Sequence, residues 1–242
     1  MELDYRLPSK STEGWRHAPL QRLYNLPSSE HAQKLVVSDA LEDDSILVCR
    51  DRIEIAPNLR DCSKVKAFDR HDPTIFHQVL NGSQISLLEV LVPDRASITL
   101  RIAEECHQNN MQVLALRFIV PEAGDCMVTF DQSSDARSSI WFDCNVLVQK
   151  NARCRFVACD TGSLDYRLFH LDANVMAHGQ FLMYGISGGG TFVRDEVICR
   201  LHEKSRARVF SAHLLPNGSH RDLVLTNEHA GPSAESQQDV RA

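Results

Sequence analysis

The chain has 242 residues, 43% hydrophobic and 24% charged, with a net charge of −6. A chain of this length and composition can bury roughly 70–75% of its unfolded surface. Gly (11) and Pro (9) are too few for a collagenous or disordered chain. No stretch approaches the ~18–20 uncharged apolar residues of a membrane span. No block of five like charges offers itself to a nucleic-acid backbone.

Met1–Lys10 carries no apolar signal region, so a cytoplasmic or organelle-stroma location with reduced thiols is expected. Prolines at 8, 19 and 27 allow only short helical turns between them. Further on, Ser45–Cys49 and Ile53–Ala56 flank Arg50-Asp51-Arg52 as a small hairpin. Residues 1–72 therefore read as a separate N-terminal region of mixed α/β character.

From about Ser83 onward strand-like runs follow one another: Leu87–Val92, Ile98–Ala103, Met111–Val120, Met127–Phe130, Ile140–Val148, Cys154–Ala158, Tyr166–Met176, Phe181–Tyr184, Thr191–Leu201, Val209–Leu214 and Leu223–Thr226. Helical spacing fits them poorly, whereas β-branched and aromatic residues are abundant. Positions 92, 120, 148 and 176 recur at 28-residue intervals within Leu91-Val92-Pro93, Ile119-Val120-Pro121, Leu147-Val148-Gln149 and Val175-Met176-Ala177. Val113, Trp141, Phe169 and Val197 trace a second column, with a slip after Val148 that makes Phe142 the better neighbour of Phe169. A constant strand–turn–strand–turn period indicates a solenoid. Twenty-eight residues hold two strands of roughly 8–11 residues and two turns. The expected fold is mainly β: residues 73–242 form a parallel β-helix with two strands per turn.

Eight cysteines sit at 49, 62, 106, 126, 144, 154, 159 and 199, with no C-x-x-C pair. A zinc site from Cys144, Cys154, Cys159 and His170 can be drawn, but its spacing matches no zinc module. Cys126 and Cys154 should stack on neighbouring rungs, as small interior residues or as a thiolate pair for a soft metal. Gly185–Thr191 lacks the Lys and helix of a phosphate loop and reads as a tight turn. Lys204, Arg206 and Arg208 read as a solvated face. His220, Asp222, Val224 and Thr226 would share one side of a strand, as an acid–base pair, as metal ligands with His229, or as a polar ladder. The hydrolase, protease and dehydrogenase motifs G-x-S-x-G, H-E-x-x-H and G-x-G-x-x-G have no counterpart with the right context.

Two segments resemble the SufB/SufD family of iron–sulfur cluster assembly proteins, on its SufD side. Arg6–Leu20 is similar to an N-terminal signature of the form L-P-T-x4-E-x-W-K/R-Y-T-P-L, carried here by Trp15, Arg16 and Pro19, with His17-Ala18 replacing Tyr-Thr. His220, Asp222, Thr226, His229, Pro232 and Ser236 match the family pattern H-x-D-x3-T-x2-H-x2-P-x3-S-x-Q, with Gln237 directly beside its closing Gln. Gly188-Gly189 with Arg194 is similar to a glycine-pair rung, while Glu203-Lys204 stands where a rung Gly is expected.

The resemblance implies a parallel β-helix and a non-catalytic scaffold subunit. Such a subunit pairs with a SufB-like chain and a SufC-like ATPase, and the assembled complex carries a transient iron–sulfur cluster. It also implies further rungs, a Cys-x-His-Gly segment and a C-terminal helical domain beyond Gln237, so the chain reads as truncated, with a sticky edge near Leu223–Thr226 that could self-associate. The rival expectations are a β-helix enzyme acting on a polysaccharide or acyl group and a small metal-binding β-helix.

Overall fold

The computed structural model describes residues 34–49, 52–67, 86–102, 111–132, 139–160, 166–214 and 217–241. In chain order the strands are β1 (Lys34–Val37), β2 (Ser45–Val48), β3 (Arg52–Ile55), β4 (Ser63–Ala67), β5 (Ser86–Leu91), β6 (Ser97–Ile102), β7 (Met111–Val120) and β8 (Asp125–Gln132). They continue with β9 (Ser139–Val148), β10 (Arg153–Asp160), β11 (Tyr166–Val175), β12 (Gln180–Ser187), β13 (Phe192–Leu201), β14 (Arg206–His213), β15 (His220–His229) and β16 (Glu235–Arg241). One 3-10 turn, Pro57–Leu59, is the sole helical element among the described residues. No helix among them is long and apolar enough to cross a membrane.

The strands alternate between two facing sheets. One runs β1-β3-β2-β6-β8-β10-β12-β14-β16 and the other β15-β13-β11-β9-β7-β5-β4. β4 pairs antiparallel with β5, and all pairings among β5 to β16 are parallel, giving a β-solenoid of about five turns with a repeat of about 28 residues. The expected hairpin is present as antiparallel β2–β3, and β2 continues the nine-stranded sheet by pairing with β6.

Alternate residues of each strand point between the sheets and form one continuous apolar core. Phe142 and Phe169 stack there with centroids 5.1 Å apart and planes 3° from parallel, and Phe130 reaches Phe142 from the opposite sheet at 4.4 Å. The slip after Val148 is present: Phe142 opposes Phe169, 27 residues on. A second slip follows, because Phe169 opposes Asp195 and Val197 opposes Leu171. The aliphatic column accordingly runs Val120, Val148, Val175 and Leu201, with Val175 in the place expected for Met176. Shorter loops, not bulges within the paired strands, absorb both slips, since each ten-residue ladder is unbroken.

The turns joining the seven-stranded to the nine-stranded sheet repeat one design. Each has one residue with left-handed φ: Arg95 (62°), Ala123 (59°), Asn151 (58°), His178 (60°), Lys204 (52°) and Ser233 (58°). The N–H of Arg95, Ala123, Asn151, His178 and Lys204 in turn donates to a carbonyl in the following rung's turn, at 2.8–3.1 Å. This ladder outweighs the ~1–2 kcal/mol that a left-handed backbone costs an L-residue. Glu203-Lys204 therefore keeps the rung geometry without a local Gly. The glycine this corner needs lies one rung on, where a Cβ on Gly231 would meet the Glu203 amide nitrogen at 2.2 Å.

Candidate functional site

The last three rungs hold a polar cluster inside the solenoid. Asp160, Ser187 and His213 end successive strands of one sheet, and Arg167, Asp195 and Arg221 lie near the starts of successive strands of the other. Arg167 is 3% exposed, Asp160 0% and Asp195 5%. The Arg167 guanidinium donates to Asp160 Oδ2 at 2.7 Å and to Asp195 Oδ1 through Nη2 at 2.6 Å and Nε at 3.2 Å. Burial pulls its pKa down, but the two carboxylates more than offset this and hold it above its ordinary value. Ser187 donates to Asp160 at 3.3 Å. Arg221 donates to Ser187 Oγ and to the Gly189 carbonyl. That carbonyl belongs to the Gly-rich turn, whose Gly190 takes φ of 89°.

Ser211 Oγ and His213 Nε2 are hydrogen-bonded at 2.7 Å beside this cluster. Burial pushes the His213 pKa down, with Arg221 and Arg167 adding to the effect against the pull of Asp195. A neutral His bonded to a Ser is the beginning of a nucleophile–base pair. It goes no further, because His213 Nδ1 has no partner among the described residues to orient the ring. The neighbouring strand N–H groups are committed to the ladder, so none is free to form an oxyanion hole. A cavity of about 10 Å³ borders Arg167, Ser187, Asp195, Ser211 and His213, space for about one water.

The outward face of the seven-stranded sheet carries a second set of ion pairs. His170 Nδ1 donates to Asp143 at 2.9 Å, with the ring 1% exposed. Burial lowers the His170 pKa, but the Asp143 hydrogen bond and charge, with Glu196 and Asp172, leave it raised overall. One rung along, Arg194 pairs with Asp222, and Arg200 pairs with Asp172 and with Glu228. Each pair joins neighbouring strands, so each fastens one rung to the next.

The family-motif positions divide between these surroundings. Trp15, Arg16 and Pro19 lie outside the described residues. Arg194 and Asp222 meet, and His220 stacks on Phe192 with centroids 5.4 Å apart. Thr226 is exposed on the same outward face. His229 hydrogen-bonds Ser236 at 2.9 Å across the final turn, and the Pro232 carbonyl accepts from Lys204. Gln237 points outward from β16, exposed. Strand geometry sets His220 and His229 about 30 Å apart along β15, so the two cannot share a metal ion.

In comparison with known proteins, no family model matches the chain, and no curated protein matches it either.

Cys126 and Cys154 do oppose each other in the core, as their spacing suggests. The Cys154 thiol is pushed well up by its hydrogen bond with Cys126 and by burial, and burial raises Cys144 and takes Cys199 to about 12. All three are therefore protonated thiols. The drawn zinc set does not assemble. Cys144 and Cys154 face the core from opposite sheets, whereas strand alternation turns Cys159 and His170 to the outer faces. Among the described residues no group of three His, Cys, Asp or Glu could hold a metal ion.

Sequence reasoning missed Asp160, Arg167, Asp195 and Arg221. The available signal was a charge at the inward phase of an apolar strand, as in Arg167-Leu168-Phe169 and Arg194-Asp195-Glu196-Val197.

Proposed function

We propose that the chain is a non-catalytic scaffold subunit of the SufB/SufD type, acting in iron–sulfur cluster assembly through a SufB-like partner and a SufC-like ATPase. The cluster is cargo of the assembled complex, and ATP turnover belongs to the SufC-like subunit. The observation that carries this reading is the Arg194–Asp222 pair. Two positions singled out by the resemblance, 28 residues apart, meet on neighbouring rungs, and His229 meets Ser236 likewise. The resemblance thus falls on contacts that build a rung, as suits a part whose work is to present surfaces. The unassembled Ser211–His213 pair favours the same reading over an acyl-transfer enzyme.

The test is size-exclusion chromatography with light scattering on this protein mixed with SufB-type and SufC-type subunits encoded in the same genome. A stable complex containing both is expected, and Asp222→Lys, which faces a second cation on Arg194, should weaken it. Failure to associate with either subunit would overturn the proposal.

A further inference from the structure

The outer face of the nine-stranded sheet carries a short aromatic ladder with a vacant step. Val157, Tyr184, Phe210 and Asp239 occupy one outward column on β10, β12, β14 and β16. Tyr184 and Phe210 stack with centroids 5.4 Å apart and planes 12° from parallel. The next residue, Asp239, has no ring to continue the stack. The space left there opens into a groove of about 260 Å³, bordered by Tyr184, Ile186, Phe210, Ala212, Asp239 and Arg241. Tyr184 is 42% exposed and Ile186 49%. Exposed large apolar groups gathered beside an aromatic stack mark an interaction site rather than scattered surface residues.

Charge narrows the occupant. Arg241 lies 3.4 Å from Asp239, Arg206 pairs with Glu235, and Arg155 with Asp125. Arg208, exposed and two residues before Phe210 on the same outward face, has no ion-pair partner among the described residues. The groove therefore offers a flat apolar wall with one uncommitted cation beside it, on a chain whose overall charge is −6. A nucleic-acid base could also stack on Phe210, but a strand with a phosphate at every nucleotide would find one uncommitted cation, Arg208, on a chain of net charge −6, whereas a single carboxylate needs no more than that.

We propose that this groove binds a protein partner through an aromatic side chain seated on Phe210, with a carboxylate next to it in the partner's sequence engaging Arg208. Aromatic anchors flanked by Arg are the usual centre of such contacts. The site lies on the opposite sheet from the Arg194–Asp222 pair and does not depend on the scaffold assignment.

The test is NMR titration of the intact protein with N-acetyl-Trp-Glu-amide, N-acetyl-Trp-Lys-amide and the dinucleotide UpU. Saturable shifts confined to β12, β14 and β16 are expected with the Glu peptide, which should bind about threefold tighter than the Lys peptide. Phe210→Leu keeps the apolar bulk but removes the ring face, and should weaken the Glu peptide about tenfold. Arg208→Glu should reverse the Glu-over-Lys preference, and a thermal melt of each variant verifies that it is folded. Equal binding of the two peptides, unchanged affinity in folded Phe210→Leu, tighter binding of UpU, or no saturable shift would each overturn the proposal.

Discussion

Replacing Arg167 by Met tests whether the interior cluster is held by charge balance. The side chain of Arg167 is 4% exposed, and those of Asp160 and Asp195 are 0% and 7% exposed. Removing the guanidinium deletes its three hydrogen bonds and leaves two carboxylates facing each other in the core. Breaking a buried pair from one side costs about 3–5 kcal/mol, mostly the penalty of an uncompensated charge. At an m-value of about 2–3 kcal/mol/M, the urea midpoint should fall by about 1–2 M. Coincident circular dichroism and Trp fluorescence transitions would make that difference a free energy. The triple variant Asp160→Asn, Arg167→Met, Asp195→Leu removes the three directly paired charges together, leaves Arg221 its bonds to Ser187 and the Gly189 carbonyl, and should lie within about 2 kcal/mol of the parent. A single substitution costing under about 1 kcal/mol, or a triple variant as unstable as the single one, would refute the reasoning.

Lys204→Gly should raise stability by up to about 1 kcal/mol, because relief of the left-handed backbone exceeds the entropy that Gly adds to the unfolded chain; a loss in thermal unfolding contradicts this. Cys144, Cys154 and Cys199, protonated and buried, should resist iodoacetamide at pH 8 in the native protein and react after unfolding; mass-spectrometric detection of native labelling at any of them would count against the core assignment. His213, whose folded pKa is depressed, contributes stability that is intact above the unfolded value of about 6.5 and is lost as the pH falls through the folded value. His170, whose folded pKa is raised, contributes stability that is intact below about 6.5 and is lost as the pH rises through its folded value. Stability–pH curves should thus lose their acid-side slope in His213→Gln and their opposite, alkaline-side slope in His170→Gln; unchanged slopes would remove these two groups from the account.

The solenoid was legible because its physics repeats. A buried parallel strand needs apolar residues at alternate positions, and each rung meets the same need, so Val92, Val120 and Val148 recur at one interval. The Cys126–Cys154 contact followed from that interval alone. The hairpin of β2 and β3 was legible for a local reason, two short apolar runs around a polar turn. Legibility failed where the period changed. Successive strands of the seven-stranded sheet are offset by 28, then 27, then 26 residues. A constant 28 therefore pairs Phe169 with Val197, whereas its neighbour is Asp195.

That two-residue error does not by itself conceal the candidate site, since a constant 28 sets Arg167 directly against Asp195. The pair is hard to see because each residue reads as the polar start of an apolar strand. With the true register, Arg167 and Asp195 both face inward, near enough for the contact at 2.6 Å. Loop length sets the register, and the hydrophobic pattern is indifferent to a shift of two residues, because a strand keeps its faces under any even displacement. An odd shift would expose a core column and leave a trace in the sequence, as the one-residue slip at Phe142–Phe169 does. An even shift exchanges one inward residue for another and leaves none. The ionic cluster thus occupies the register change that composition and periodicity are least able to reveal: Arg167 opposes Val193 and Asp195 opposes Phe169, and the guanidinium reaches its carboxylate diagonally across the ladder.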